Sequence, residues 1–535
     1  MNFNLITILS HFMLTFSLTL WISYFIIKFG KSWLIDFPSN RKIHTFPIPR
    51  TGGIAIGSSF FLSIFFYSLN IHLLWYSIGL LLLFLIGILD DYKPINWKIK
   101  LFVQLLVASN IINRFVGEIV SISFFQITLN FSTIFLIIVF FIWFVGILNA
   151  VNLIDGMDGL AAGFMVIITF SSVIIGILNN NINFISINSL LLGSLIGFLF
   201  FNRRPARYFM GDSGSLLLGY HVACLPLIYH QFSNNNFNLE ITPFLILSSF
   251  LIMDTTRVFF SRLFKGKNPM NADTIHLHHL VFKETKSYTG TIIPIFFVTL
   301  IAGISSILYF IYDFGYLGMQ FFLFILFLFI IIPPVPFYVP LTAKLTNFIL
   351  TLKTSRINTK YLFRVRYIIP LGIIYLFVLV FEVLQISNIR SFSYFQFDMN
   401  NIGIFFSFIL LVIFSSIHSQ KDESFQARIL LVIFMQCLLL SFISDSDYSF
   451  EFFYFRNLIL LIMILITGVN YIQNSKHLGF AFWSVIDLLM LMIFIALIIL
   501  RINGMEFFIT SIMEIVFYYY SLSLYAQRRH PRLKI

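Results

Sequence analysis

Apolar blocks of about 18 to 25 residues recur from one end of this chain to the other, which leaves few folds open. At 1.5 Å per residue, a helix of that length crosses a hydrocarbon core of about 30 Å and satisfies its own backbone while doing so. The first block runs from Asn4 to Lys28, and others centre near residues 60, 80, 107, 140, 169, 193, 221, 251, 300, 327, 377, 409, 435, 464, 490 and 513. The expectation is an all-α polytopic integral membrane protein with about 17 transmembrane helices. Composition agrees, since 59% of the 535 residues are hydrophobic and 10% charged, and no soluble domain of any size remains. The first block lacks a basic leading region and a small-residue cleavage site, so it reads as a retained helix.

The two cysteines, Cys224 and Cys437, fall inside apolar blocks and suggest neither a disulfide nor a metal site. A net charge of +12 has no basic soluble domain to carry it to a nucleic acid. Anionic headgroups and an anionic substrate explain it better. With the N-terminus outside and spans alternating, the loops around residues 28–50, 91–100, 149–159, 202–212, 257–286, 340–366, 418–428, 474–478 and 526–535 face the cytoplasm. Of the 34 Lys and Arg, all but Arg114, Arg390, Arg456 and Arg501 then lie on or beside that side. This is the positive-inside pattern, and it gathers the notable carboxylates at one face.

Five polar blocks stand at the ends of these spans. In Gly87-Ile88-Leu89-Asp90-Asp91-Tyr92 a helix ends in two carboxylates, where its dipole is already negative. They are either a solvated loop start or a place where one carboxylate meets a metal or proton while Lys100 meets a phosphate. Asn149-Ala150-Val151-Asn152-Leu153-Ile154-Asp155-Gly156-Met157-Asp158-Gly159 puts Asp155 and Asp158 three residues apart, on one face if helical. Caps and turn formers could account for some of its Asn and Asp residues, but two caps do not need four polar groups.

The loop Asn202-Arg203-Arg204-Pro205-Ala206-Arg207-Tyr208-Phe209-Met210-Gly211-Asp212-Ser213-Gly214-Ser215 runs into the eighth span. A helix N-terminus there is expected to offer free N–H groups to a phosphate, with Asp212 able to hold Mg²⁺; an N-cap and topogenic arginines are the alternative. In Asp273-Thr274-Ile275-His276-Leu277-His278-His279-Leu280 three imidazoles suggest a transition metal. Oxygen ligands and the lack of a nearby Cys favour instead donors to a diphosphate or sugar. Finally, Arg41-Lys42-Ile43-His44-Thr45-Phe46-Pro47-Ile48-Pro49-Arg50-Thr51-Gly52-Gly53 is an extended basic loop whose glycines open the second helix.

Together and in this order, RKIHTFPIPRTGG, LDDYKPINWKIKLFVQ, NAVNLIDGMDGLAAG, RRPARYFMGDSGSLLLG and DTIHLHHL resemble the polyprenyl-phosphate N-acetylhexosamine-1-phosphate transferases. HLHH is similar to the HIHH form of the WecA-like enzymes, which use UDP-GlcNAc or a close relative. It departs from the HHHxE form of the MraY translocases, which carry phospho-MurNAc-pentapeptide. The resemblance implies an eleven-helix core over residues 1–340; beyond it the sequence itself shows a basic segment at 341–366, read as a cytoplasmic linker, and a transmembrane extension of unassigned role at 367–535. It implies that Asp90 and Asp91 are the catalytic pair and that Asp212 and Asn152 bind Mg²⁺, for which Mn²⁺ could substitute. Lys100, Asn149, Asp155, Asp158, Gly211, His276, His278 and His279 are then substrate-binding. Asp155 and Asp158 belong to the nucleotide pocket and the histidines to the sugar diphosphate.

The activity so implied moves GlcNAc-1-phosphate, or a related N-acetylhexosamine-1-phosphate, from a UDP-sugar to undecaprenyl phosphate in a bacterial inner membrane. It releases UMP and starts a cell-envelope polysaccharide, with the site facing the cytoplasm; partners are the two substrates, the bilayer and no nucleic acid, with room for a homodimer. A flippase of lipid-linked sugars is the rival class, but it should place polar residues near the midplane and show an internal repeat. The polar clusters here lie at span ends.

Overall fold

The computed structural model describes residues 2–312 apart from 31–33, 38–46, 68–73, 116–117, 120, 125–126, 233–237, 265, 267–274 and 286–287. The basic residues Arg41, Lys42 and His44, the expected linker and the expected extension lie outside the described residues. Every apolar block expected before residue 312 is helical. They are α1 (Asn2–Phe29), α2 (Gly52–Phe66), α3 (Leu74–Tyr92), α4 (Trp97–Phe115), α5 (Thr133–Ile154), α6 (Leu160–Leu178), α7 (Ile182–Asn202), α8 (Gly211–Gln231), the pair α9 (Thr242–Leu247) and α10 (Ser249–Phe264), and α12 (Tyr288–Tyr312). Among the described residues six helices are long and apolar enough to cross a membrane: the Ser10–Phe29 part of α1, then α3, α5, α6, α7 and the Gly290–Phe310 part of α12.

The helices divide into a buried centre and a rim. α6, α7 and α8 are buried along nearly their whole lengths. α8 packs against α2, α3 and α5, while α7 packs against α6 and α2. Gly219 lets α8 approach α5 closely, because a Cβ there would stand 2.8 Å from the Cα of Leu148. On the rim, Leu81, Leu85 and Leu89 of α3 and Ile134, Ile138 and Ile142 of α5 are exposed at four-residue spacing. Such stripes are what lipid-facing surfaces look like, one side of each helix turned to hydrocarbon and the other to the bundle.

One set of polar groups inside the bundle is satisfied from helix to helix. Tyr76 Oη and His221 Nδ1 are 2.8 Å apart, His221 Nε2 lies 3.1 Å from Asn188 Oδ1, and Asn188 Nδ2 donates to the Phe184 carbonyl at 2.8 Å. This chain ties α3, α8 and α7 together where an unmade hydrogen bond would be costly.

The all-helical expectation needs two amendments. Ser121–Phe124 (β3) pairs antiparallel with Ile127–Asn130 (β4) and parallel with Asn238–Glu240 (β5). Ser121-Ile122-Ser123-Phe124 alternates polar and apolar residues with period two, too short to span but suited to pairing. This sheet joins the far ends of α4, α5 and α8 from the site described below. A smaller pair, Ile35–Asp36 (β1) with Ile48–Pro49 (β2), brackets the first basic loop. The span near residue 251 is also broken: α9 ends at Leu247 and α10 begins at Ser249. The histidines lie beyond it, at the start of a separate short helix, α11 (Leu277–Thr285).

Candidate active site

The C-terminus of α3, the N-terminus of α4 and the N-terminus of α8 converge on one lysine. Lys100 Nζ donates to Asp90 Oδ2 and to Asp212 Oδ2, each at 2.6 Å, across 112 residues of sequence in the second case. The other Asp90 oxygen accepts the Ile95 N–H at 2.7 Å, which fixes the turn between α3 and α4. The lysine thus offsets the negative end of α3 and two carboxylates at once.

Asp91, the next residue, turns elsewhere. Its Oδ1 accepts the Asp212 N–H at 2.8 Å, and its Oδ2 accepts the Ser213 N–H at 3.0 Å and the Ser213 hydroxyl at 2.8 Å. Asp91 is therefore an N-cap supplied to α8 from a different helix. Two expected phosphate donors, the N–H groups of Asp212 and Ser213, are already engaged, which corrects the picture of a helix N-terminus left free. Gly211, at φ +73°, is left-handed, and a Cβ on it would meet Asp91 Oδ2 at 2.5 Å. Gly87 and Gly53 keep the same junction tight, since a Cβ on either would strike the backbone of Ser213 or Gly214. The Gly52 and Gly53 N–H groups donate to the carbonyls of Phe209 and Met210 at 2.8 and 2.7 Å, so the basic-loop and GDSGS blocks are joined directly.

The Asn-Asp block ends α5. Asn149 Nδ2 donates to Gln104 Oε1 of α4 at 3.2 Å and to the Val145 carbonyl. Asn152 is half-buried. Asp155 follows the helix, half-buried, and its pKa is pushed up to about 7 by burial first and then by the charges of Asp212 and Asp91, against the pull of Arg50. Asp158 does a different job. Its Oδ2 accepts the Ala206 N–H at 3.1 Å and its carbonyl accepts the Tyr288 hydroxyl, while Asn202 bridges the Gly159 N–H and the Tyr208 carbonyl. Asp158 therefore holds the 203–207 segment against the turn.

The histidine block reaches the same turn. A Cβ on Gly156 would meet His278 Nε2 at 2.4 Å, so the imidazole lies against the Asp155–Asp158 turn. Burial, with help from the adjacent His279, pushes the His278 pKa down to about 3. His276 and His278 are near-parallel with ring centres 6.2 Å apart, and His278 and His279 are 4.1 Å apart.

The charges do not balance. Asp90, Asp91, Asp155 and Asp212 act on one another directly or through Lys100 and Arg50, and Arg50 is itself ion-paired with Asp36. Among the described residues no three His, Cys, Asp or Glu side chains form a ready-made metal cage. A carboxylate-rich site of that kind fits a divalent cation held by one or two carboxylates and by substrate phosphates, the usual arrangement for Mg²⁺.

Four of the five sequence blocks, and the Arg50–Gly53 end of the first, are thus brought together at one end of the bundle. Ser213, Asn202 and Asp254 stand in the polar runs of the sequence, which alone gave them no individual role. For Asp254 a signal existed, an acid three residues before Arg257 at the end of a span, where an unpaired charge is expensive.

Residues 73–230 match the model of the glycosyl transferase family 4. A Bacillus subtilis protein named probable undecaprenyl-phosphate N-acetylglucosaminyl 1-phosphate transferase is 32% identical over 287 residues, covering 52% of this chain and 78% of its own length. A Thermotoga maritima undecaprenyl-phosphate alpha-N-acetylglucosaminyl 1-phosphate transferase is 30% identical, covering 53% of this chain and 85% of its own. A Streptococcus pneumoniae phospho-N-acetylmuramoyl-pentapeptide-transferase is 32% identical over shorter stretches, 43% of this chain and 73% of its own. With most of each relative's length matched and the shared blocks gathered at one end of the helices, the chain belongs to glycosyl transferase family 4, the family of the WecA-like and MraY-like sugar-1-phosphate transferases.

Proposed function

We propose that this protein transfers GlcNAc-1-phosphate from UDP-GlcNAc to undecaprenyl phosphate, releasing UMP, at the cytoplasmic face of a bacterial inner membrane as the first step of a cell-envelope polysaccharide. The observation that carries this reading is the Lys100 bridge between Asp90 and Asp212, set at the ends of helices whose outer faces are apolar. A polyprenyl phosphate needs that placement, with its phosphate at headgroup level and its tail in lipid.

The chemistry is a substitution at phosphorus. An oxygen of the lipid phosphate bonds to the β-phosphorus of the UDP-sugar, the bond from that phosphorus to the bridging oxygen breaks, and UMP leaves with the electron pair. Both reactants are anions, so the barrier is largely electrostatic. Lys100 supplies a fixed positive charge, and Asp90 is placed to take a proton from the lipid phosphate and to orient it. Asp212 and Asn152 would hold Mg²⁺, which when bound neutralises the diphosphate and aligns its oxygens. Asp155 lines the nucleotide pocket, Asp158 shapes it by holding residues 203–207, and His276, His278 and His279 border the sugar diphosphate. Asp91 serves by fixing α8 and so Asp212.

The Streptococcus pneumoniae relatives favour a second donor, a UDP-MurNAc-pentapeptide. Membranes containing the full chain, given radiolabelled UDP-GlcNAc, undecaprenyl phosphate and Mg²⁺, should yield labelled lipid and UMP. UDP as the sole nucleotide product would overturn phosphosugar transfer. Turnover with UDP-MurNAc-pentapeptide alone would move the assignment to the second donor.

A further inference from the structure

Asp254 lies in α10 with little exposed surface and is joined to the histidine block by several contacts. Its Oδ2 is 2.9 Å from His276 Nδ1, the Leu277 N–H points at both oxygens at 3.2 and 3.4 Å, and its Oδ1 accepts from Arg257 at 2.8 Å. Arg257 in turn donates to the Ile275 carbonyl at 2.8 Å, so the segment before α11 is held from both sides. His276 is 3% exposed and His278 is 2% exposed, yet Nε2 of each has no hydrogen-bond partner among the described residues. A buried polar atom without a partner is costly, so a pair of them on near-parallel rings beside the Gly156 turn marks a surface made for a ligand.

We propose that Asp254 is a positioning residue for the transfer reaction: by accepting the Nδ1–H of His276 it selects that tautomer and aims the ring so that Nε2 meets the UDP-sugar. A carboxylate on one imidazole nitrogen fixes ring orientation and settles which nitrogen is protonated. With its Nδ1 proton held by Asp254, the ring turns Nε2 toward a polar group of the sugar or nucleoside. Asp254 touches no substrate and acts through His276. The inference rests on the function proposed above.

The test is a double-mutant cycle on the full chain in lipid nanodiscs with Mg²⁺, UDP-GlcNAc and undecaprenyl phosphate. Asp254→Asn leaves a side chain that can donate to Nδ1 and so admits the other tautomer. We expect kcat/KM for UDP-GlcNAc to fall by about tenfold or more, chiefly through KM, the scale of loss when the group orienting a functional histidine is removed. In a His276→Ala background the same substitution should change kcat/KM by less than about twofold, since coupled residues do not add. Equal losses in the two backgrounds, or no loss in the first, would overturn the proposal. Ring ¹⁵N spectra of the wild-type chain give an independent reading: the resonance that disappears in His276→Ala should carry a proton on Nδ1, and a bare Nδ1 would overturn the proposal whether or not the variants fold. If the wild type does not turn over UDP-GlcNAc, the transfer reading has failed, and the ring spectra alone decide the role of Asp254.

Discussion

Replacing Asp91 separates two roles that the adjacent carboxylates could play. Asp91 accepts two backbone N–H groups and one hydroxyl from the first turn of α8, and Ser213 has no exposed surface. Asp91→Ala strands all three donors at about 1–3 kcal/mol each, and water entering the vacated space should bring the net loss to about 3–6 kcal/mol. Asp91→Asn retains an acceptor oxygen but turns an amide N–H₂ toward another donor, for a loss of about 2 kcal/mol. Ser213→Ala removes one hydroxyl bond and should cost about 1 kcal/mol. Unfolding midpoints of the full chain in nanodiscs should therefore fall in the order Ser213→Ala, Asp91→Asn, Asp91→Ala. Activity should fall with them, because one of the donors is the N–H of Asp212 and loosening the cap misplaces that carboxylate; higher Mg²⁺ should restore part of it. An Asp91→Asn protein with the wild-type unfolding midpoint and no turnover at any Mg²⁺ concentration would refute the capping argument, since the carboxylate would then be acting on substrate.

Asp212→Asn should lose most activity and regain part of it at high Mg²⁺, whereas Asp90→Asn should stay inactive at every Mg²⁺ concentration; initial rates across a metal titration distinguish the two. Asp155, with a pKa of about 7 in the ligand-free protein, is increasingly neutral as pH falls below that value and increasingly anionic above it. A divalent cation should therefore bind more weakly below pH ~7, by at most about tenfold per pH unit for one coupled proton, with proton release measurable by calorimetry in buffers of different ionisation enthalpy. Affinity independent of pH from 5 to about 8 would remove Asp155 from the cation's neighbourhood. Truncation after Ser355 should retain transferase activity if protein level and folding are preserved, because every motif block lies before residue 281; a folded, inactive truncation would assign the later spans to the site.

The helices were legible because a membrane imposes a length: blocks of about 18 to 25 apolar residues have one economical structure, and all those within the described residues are helices. The gathering of the polar blocks was legible for a related reason, since alternating spans and the basic-residue bias placed them at the same ends. The short strands were not. Four alternating residues at Ser121–Phe124 look like any loop until Asn238–Glu240, more than a hundred residues later, comes alongside. Asp254 stood out as an acid in a span, but its partner did not, because His276 lies 22 residues away and no local pattern records that contact.

The adjacent acids show where a motif read as a unit must be divided. Consecutive residues on an α-helix project about 100° apart, so the two side chains of a DD pair cannot face the same atom. At the end of α3 one direction leads to Lys100 and the opening between α4 and α8, and the other leads into the N-terminus of α8. Asp90 keeps a partner that a substrate phosphate could share, since a lysine bridging two carboxylates can bend toward a third anion. Asp91 has its oxygens committed to three donors within the bundle. A requirement for both carboxylates then follows from two different causes: Asp90 through the reacting phosphate, and Asp91 through the helix that presents Asp212.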